Sequence, residues 1–188
     1  MTTMGRLRIC PTPLDGLTVV ERSVDEDERG HFSRLFCAEE LRGAGGEPFA
    51  VAQINHSVTE RAGSVRGLHF QWPPHGETKL VSCLRGAVFD VAVDLRRGSP
   101  TFLRWHGEVL SRENRRAALI PEGFAHGFQT LEPGCELIYV HSRAYDPSAE
   151  GGLDPADTAL AIAWPLPFAD VSARDRGHPR IGPAFVGL

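Results

Sequence analysis

Apolar residues in this chain come in short runs that alternate with polar ones and stop at glycine or proline. Segments 17–21, 31–36, 49–57, 64–71, 79–84, 87–95, 101–110, 117–120, 127–131 and 136–142 each read as extended, because a period of two gives a strand one core-facing side. Turn signals separate most of them: Trp72-Pro73-Pro74, Arg85-Gly86, Arg97-Gly98-Ser99-Pro100, Pro121-Glu122-Gly123 and Glu132-Pro133-Gly134. Residues 25–30 read as a charged turn. Residues 38–44 predict one short helix, with Glu39 and Glu40 early, Arg42 late, and Gly43, Gly45 and Gly46 to end it. Beyond Asp146 the chain reads as loop, with prolines at 147, 155, 165, 167, 179 and 183. The strand spacing predicts an all-β double-stranded helix, or jelly roll, with a few short helices, in a single domain over 1–188.

Composition narrows the function classes. Of 188 residues, 41% are hydrophobic, which is a globular rather than a disordered balance. The net charge of −4 argues against a nucleic-acid partner, whose phosphates call for a clustered positive surface. Yet Lys79 is the only lysine, and the other basic residues are arginines, whose forked donors suit phosphates and carboxylates. An anion site is therefore compatible with an acidic total. Cys10, Cys37, Cys83 and Cys135 are widely spaced without a CxxC pattern, as expected for free thiols in a reducing compartment. No apolar run approaches a membrane span, and residues 1–8 lack the apolar core of a signal peptide. A cytoplasmic protein without a membrane partner is expected.

Candidate chemistry gathers in four places. The densest is Arg66-Gly67-Leu68-His69-Phe70-Gln71, followed by Lys79. Alternation sets His69 and Gln71 on one face and Leu68 and Phe70 on the other. Arg66 falls with Leu68 unless Gly67 marks a bulge that re-aims it. The second place is Pro121-Glu122-Gly123-Phe124-Ala125-His126-Gly127, the third is Tyr139, and the fourth is Ser172-Ala173-Arg174-Asp175. A metal site is the rival use of these histidines. His69, His75, Glu77 and His126 make an incomplete ligand set for it, because the position two after His69 is Gln71. No GxSxG, GxGxxG or P-loop pattern occurs.

Taken in order, Glu28-Arg29-Gly30-His31-Phe32, Gln53-Ile54-Asn55-His56-Ser57, Arg66-Gly67-Leu68-His69-Phe70-Gln71, Lys79-Leu80-Val81, Phe89-Asp90-Val91-Ala92-Val93-Asp94, Ser99-Pro100-Thr101-Phe102, Pro121 through Phe128, and Trp164-Pro165 make the chain resemble the dTDP-4-dehydrorhamnose 3,5-epimerase family, roughly from Leu14 to Asp175. The resemblance implies a homodimeric cupin-like jelly roll with neither metal nor cofactor. It implies an enzyme that inverts C3 and C5 of a nucleotide-linked 4-keto-6-deoxy hexose, turning dTDP-4-dehydro-6-deoxyglucose into dTDP-4-dehydrorhamnose. By the resemblance, His69 is the general base, Tyr139 the general acid, Asp175 the residue that orients His69, and Lys79 the cation beside the sugar carbonyl. Arg29, Gln53, Asn55, Arg66, His126 and Glu150 are the expected substrate contacts.

Two positions depart from the family pattern. Arg34 stands where an acidic residue is usual near the nucleobase, and Arg174 stands where lysine is usual. Arg34 either donates to the base or pairs with Glu39, Glu40 or a phosphate. Both arginines are carried as substrate-site candidates. The alternatives are a single-centre 3- or 5-epimerase of another nucleotide-linked 4-keto sugar, a metal-dependent cupin dioxygenase, and a sugar-binding module without catalysis.

Overall fold

The computed structural model describes residues 5–42, 44 and 50–188. In chain order the first strands are β1 (Leu7–Pro11), β2 (Thr18–Arg22), β3 (Val24–Asp27), β4 (Gly30–Ser33), β5 (Gln53–Thr59), β6 (Ser64–Gln71) and β7 (Lys79–Arg85). There follow β8 (Ala87–Asp94), β9 (Trp105–Ser111), β10 (Arg116–Ile120), β11 (Phe124–Thr130), β12 (Cys135–His141), β13 (Glu150–Gly152) and β14 (Asp170–Val171), then one helical turn, α1 (Ala173–Arg176).

Two sheets carry the architecture. One has the order β1-β2-β10-β7-β12-β5, the other β13-β6-β11-β8-β9, with β14 added in parallel to β6. The alternating apolar residues of both sheets meet between them: Val81, Cys83, Ile120 and Leu137 from the first, Val88, Ala92, Leu110, Phe124 and Phe128 from the second. This is the jelly roll that the strand spacing predicts.

Both sheets are also covered on their outer faces. Leu7, Val20, Leu80, Leu119 and Val140 pack with Leu41 outside the first. Leu68, Phe70, Val91, Val93 and Ala125 pack outside the second with Leu153, Leu160, Trp164 and Phe185. The proline-rich tail that reads as loop thus supplies the second sheet's outer layer. A strand buried on both faces loses strict alternation; β11 is buried at all seven positions.

The expected helix over 38–44 is not formed among the described residues. Ala38–Arg42 make hydrogen-bonded turns, with Leu41 N donating to Cys37 O at 3.0 Å and Arg42 N to Glu39 O at 3.3 Å. A segment this short cannot offset helix nucleation by itself, and the fully buried Leu41 fixes it to the sheet instead. Gly43, Gly45, Gly46 and Phe49 lie outside the described residues. The charged turn at 25–30 is the tip of the β3–β4 hairpin, which stands apart from both sheets.

The strand expected over 101–110 begins only at Trp105, because Asp94 bends the chain before it. The Asp94 carboxylate accepts from Arg96 N at 3.0 Å, Arg96 Nε at 2.9 Å, and the Ser99 and Thr101 hydroxyls at 2.6 Å each. Burial opposes its charge, but these bonds dominate and hold its carboxyl at about 2. An unfolded Asp titrates near ~3.9, so the balance of burial and bonds stabilises the fold by about 2 kcal/mol. Because the folded value is the lower one, this stabilisation is complete above about pH 4 and disappears as pH falls toward about 2. Asp94→Asn is expected to lose about 2 kcal/mol at pH 7, read by denaturant unfolding, with the gap to wild type narrowing below about pH 4. A pH-independent gap would contradict this.

β6 carries the irregularity on which the site depends. His69 is opposite His126 and Arg66 is opposite Phe128, so β6 advances three residues where β11 advances two. The extra residue turns Arg66 and His69 to the same side, against simple alternation. Gly67 permits it: its φ is +123°, and a Cβ there would lie 2.6 Å from Gly127 Cα and 2.8 Å from His126 O. Gly67→Ala is expected to cost about 2 kcal/mol or more in backbone strain, lowering the melting temperature by roughly 4 °C or more. An unchanged melting curve would contradict the assignment of the bulge to Gly67.

Candidate active site

The bulge opens onto a cavity of about 550 Å³ between the sheets. One wall comes from β6 and β11, with Arg66, His69, His126 and Phe128. The facing wall comes from β5, β7 and β12, with Asn55, Ser57, Thr59, Lys79, Tyr139 and His141. The segment from Asp170 to Asp175 closes one side.

His69 is placed by three elements. β6 carries it, the bulge aims it, and α1 brings Asp175 to it. Ser172 caps α1 by accepting from Asp175 N at 3.0 Å, which turns the Asp175 side chain inward. Its Oδ1 lies 2.9 Å from His69 Nε2, and its Oδ2 accepts from the Gly67 amide at 3.1 Å. Burial disfavours the charged carboxylate, but the bonds from His69 and Gly67 outweigh it and hold Asp175 well below the ordinary carboxylate range. With Nε2–H donated to Asp175, the imidazole lone pair sits on Nδ1. Arg174 lies beside the pair, its guanidinium 3.2 Å from His69 Nε2 and 2.8 Å from Glu150 Oε1.

On the facing wall, burial pushes the Tyr139 phenol well above its ordinary value, so it remains protonated at neutral pH. Its ring meets His126 edge-on and stacks on His141, each at 6.1 Å between centroids. Lys79 Nζ pairs with Glu77 at 3.1 Å. His126 Nε2 is 2.7 Å from Asp90 Oδ2, in full burial. One cavity therefore presents an imidazole on one wall and a protonated phenol with an ammonium on the other.

Of the residues singled out from the sequence, His69, Tyr139, Asp175, Lys79, Asn55, Arg66, His126 and Arg174 line this cavity. Four others do not. Arg29 is exposed at the β3–β4 tip and pairs with Asp27. Arg34 pairs with Glu40, whose second oxygen accepts from Leu7 N at 2.8 Å, so it ties the 34–40 segment to β1. Gln53 accepts from Tyr145 N and donates to Asn55, each at 3.0 Å. Glu150 accepts from the Tyr145 hydroxyl at 2.6 Å and reaches the cavity only through Arg174.

Sequence reasoning missed Asp90, His141 and, as a cavity partner, Glu77. The signals for two of them were present. A carboxylate within Phe89-Asp90-Val91-Ala92-Val93 must have a partner if buried, and His141 shares a face with Tyr139 two residues before it.

The rival metal set does not converge: His75 pairs with Asp146, and Glu77 with Lys79 and His141. Among the described residues, one group has metal-type donors close together, namely His69, Asp175 and His178 within 4.8 Å. The His69–Asp175 hydrogen bond already accounts for that proximity, and the Arg174 guanidinium brings a competing positive charge to His69 Nε2.

The family model described as dTDP-4-dehydrorhamnose 3,5-epimerase matches residues 11–182. A dTDP-4-dehydrorhamnose 3,5-epimerase of Methanothermobacter thermautotrophicus is 43% identical over 177 residues, covering 92% of this chain and 94% of that protein. A dTDP-4-dehydrorhamnose 3-epimerase of Streptomyces niveus is 42% identical over 170 residues, covering 90% and 82%. The crystal structure of a dTDP-4-dehydrorhamnose 3,5-epimerase from Bacillus anthracis, with TDP and PPi bound, superposes with a TM-score of 0.89 at 37% identity, covering 93% of this chain and 99% of that one.

Proposed function

This chain belongs to the dTDP-4-dehydrorhamnose 3,5-epimerase family, and we propose that it inverts C3 and C5 of dTDP-4-dehydro-6-deoxyglucose by proton transfer between the two walls of its cavity. The observation that carries this reading is the placement of His69 and Tyr139 on facing walls of one cavity. A C4 ketone acidifies the protons on C3 and C5. His69, through Nδ1, takes one of them, and the bonding pair moves into an enolate at the C4 oxygen. The Asp175 carboxylate supports the imidazolium that forms. The Lys79 ammonium stabilises the enolate oxygen. Tyr139 then delivers a proton to the same carbon from the opposite side, which inverts it. Solvent restores the phenol proton and receives the imidazolium proton, so the cycle is redox-neutral. Arg66, His126, Asn55 and Arg174 hold the nucleotide and its diphosphate, the arginines as forked donors.

Replacing the base and the acid separates their roles. His69→Asn is expected to lower turnover and hydrogen wash-out together, by ~10²–10⁴-fold, with an unchanged circular dichroism spectrum. Tyr139→Phe is expected to lose net inversion more severely than wash-out, because abstraction by His69 survives. His69→Asn retaining more than about a tenth of wild-type turnover would exclude His69 as the base.

The same reading makes the protein a cytoplasmic homodimer. Its four cysteines are free thiols, in keeping with a reducing compartment. Phe32 on the β3–β4 hairpin is 65% exposed, and Ile54 on the edge strand β5 is 59% exposed. An open sheet edge that carries an exposed apolar side chain calls for cover. Arg29 and Arg34 do not line their own subunit's cavity, and a second copy is the partner to which they would bring a nucleotide contact in this reading. Light scattering is expected to give about twice the 20.5 kDa chain mass. A monomeric mass at micromolar concentration would contradict the dimer.

A further inference from the structure

Glu77 lies in the loop before β7, yet its side chain is only 8% exposed and reaches two residues of the cavity wall. One oxygen lies 3.1 Å from Lys79 Nζ and the other 2.9 Å from His141 Nδ1. From His141 the contacts continue: His141 Nε2 is 3.4 Å from Asn55 Nδ2, Asn55 Oδ1 accepts from Gln53 Nε2 at 3.0 Å, and Gln53 Oε1 accepts from Tyr145 N at 3.0 Å.

The direction of every bond follows from the two ends. A backbone amide can only donate and a carboxylate can only accept. Tyr145 N therefore makes Gln53 Oε1 the acceptor and Gln53 Nε2 the donor. Asn55 Oδ1 then accepts, and Asn55 Nδ2 points at His141. Glu77 at the far end takes the Nδ1 proton of His141, which leaves the lone pair on Nε2 for Asn55. No link conflicts with its neighbour.

We propose that Glu77 is a positioning residue of the active site, fixing the Lys79 ammonium and imposing the Nδ1–H tautomer on His141, and through His141 orienting the amide of Asn55. Its effect on catalysis rests on the epimerase reading; the bond polarity does not. The two carboxylate oxygens serve two donors at once. A glutamine has one oxygen and one NH₂, so it can accept from Lys79 or from His141 but turns a donor toward the other. Burial opposes the Glu77 charge, yet the bonds from His141 and Lys79 keep its carboxyl below the ordinary value.

The test has a spectroscopic and a kinetic arm. In protein with ¹⁵N-labelled histidine, His141→Asn assigns the His141 signals, and long-range ¹H–¹⁵N correlation reads which ring nitrogen holds the proton. Wild type is expected to carry it on Nδ1, and Glu77→Gln to lose that uniform state. With kinetics normalised to active sites, Glu77→Gln is expected to lower kcat by about tenfold or more, through a displaced Lys79. His141→Ala, which leaves the Lys79–Glu77 pair intact, is expected to raise KM by about threefold or more with a smaller effect on kcat, through a loosened Asn55. A purely structural role would lower the melting temperature and leave both constants unchanged. A His141 proton on Nε2 in wild type, or wild-type kcat and KM in Glu77→Gln, overturns the proposal. If Glu77→Gln does not fold, the wild-type tautomer still decides. If wild type turns over no nucleotide-linked 4-keto sugar, the epimerase reading fails and the tautomer again decides the bond chain by itself.

Discussion

The Asp175 carboxylate has two oxygens and two destinations, and the site is organised around both. Oδ1 faces His69 Nε2, and Oδ2 takes the amide of Gly67, the residue that bulges β6. A single buried anion thereby joins the C-terminal helical turn, the bulge and the cavity imidazole. Burying a carboxylate is costly without such partners, and here the partners hold it charged with its titration far below the ordinary range. The proline-rich tail, which packs Leu153, Leu160 and Trp164 over the second sheet, returns the chain so that Asp175 reaches His69.

The same construction recurs around the cavity. His69 pairs with Asp175, His126 with Asp90, and His141 with Glu77, each at 2.7 to 2.9 Å. Each carboxylate fixes an imidazole by one ring nitrogen, so the ring's direction and proton are set before any ligand arrives. The cavity is thus polar and pre-organised between two sheets whose outer faces carry apolar layers, with the His69 imidazole on the β6 wall and the phenol and ammonium on the β12 and β7 walls.

Much of this was legible in the sequence where local pattern decides structure. The strand 64–71 matches β6 at both ends, and Gly67 marked the bulge that alternation alone could not place. Elsewhere tertiary contacts override the pattern. The early glutamates and late Arg42 of 38–44 satisfy a helix rule, but the buried Leu41 holds turns over 38–42 instead. Asp94 shortens β9 through bonds that form only when the 96–101 loop folds back. For Arg34 the sequence leaves open a contact to the base or a pair with Glu39, Glu40 or a phosphate, and the fold selects Glu40, six residues on. Glu77 escaped notice as a cavity partner because a loop residue has no face to read from periodicity; only the fold brings it to His141, 64 residues away.

The central claim is that protons leave and return to the sugar through opposite walls of one cavity. It is tested most directly by running the reaction in deuterium oxide and reading the product by NMR. Incubation with dTDP-4-dehydro-6-deoxyglucose is expected to give dTDP-4-dehydrorhamnose carrying deuterium at both C3 and C5, each inverted. Deuterium at one carbon alone, or exchange at both with configuration retained, would contradict the account.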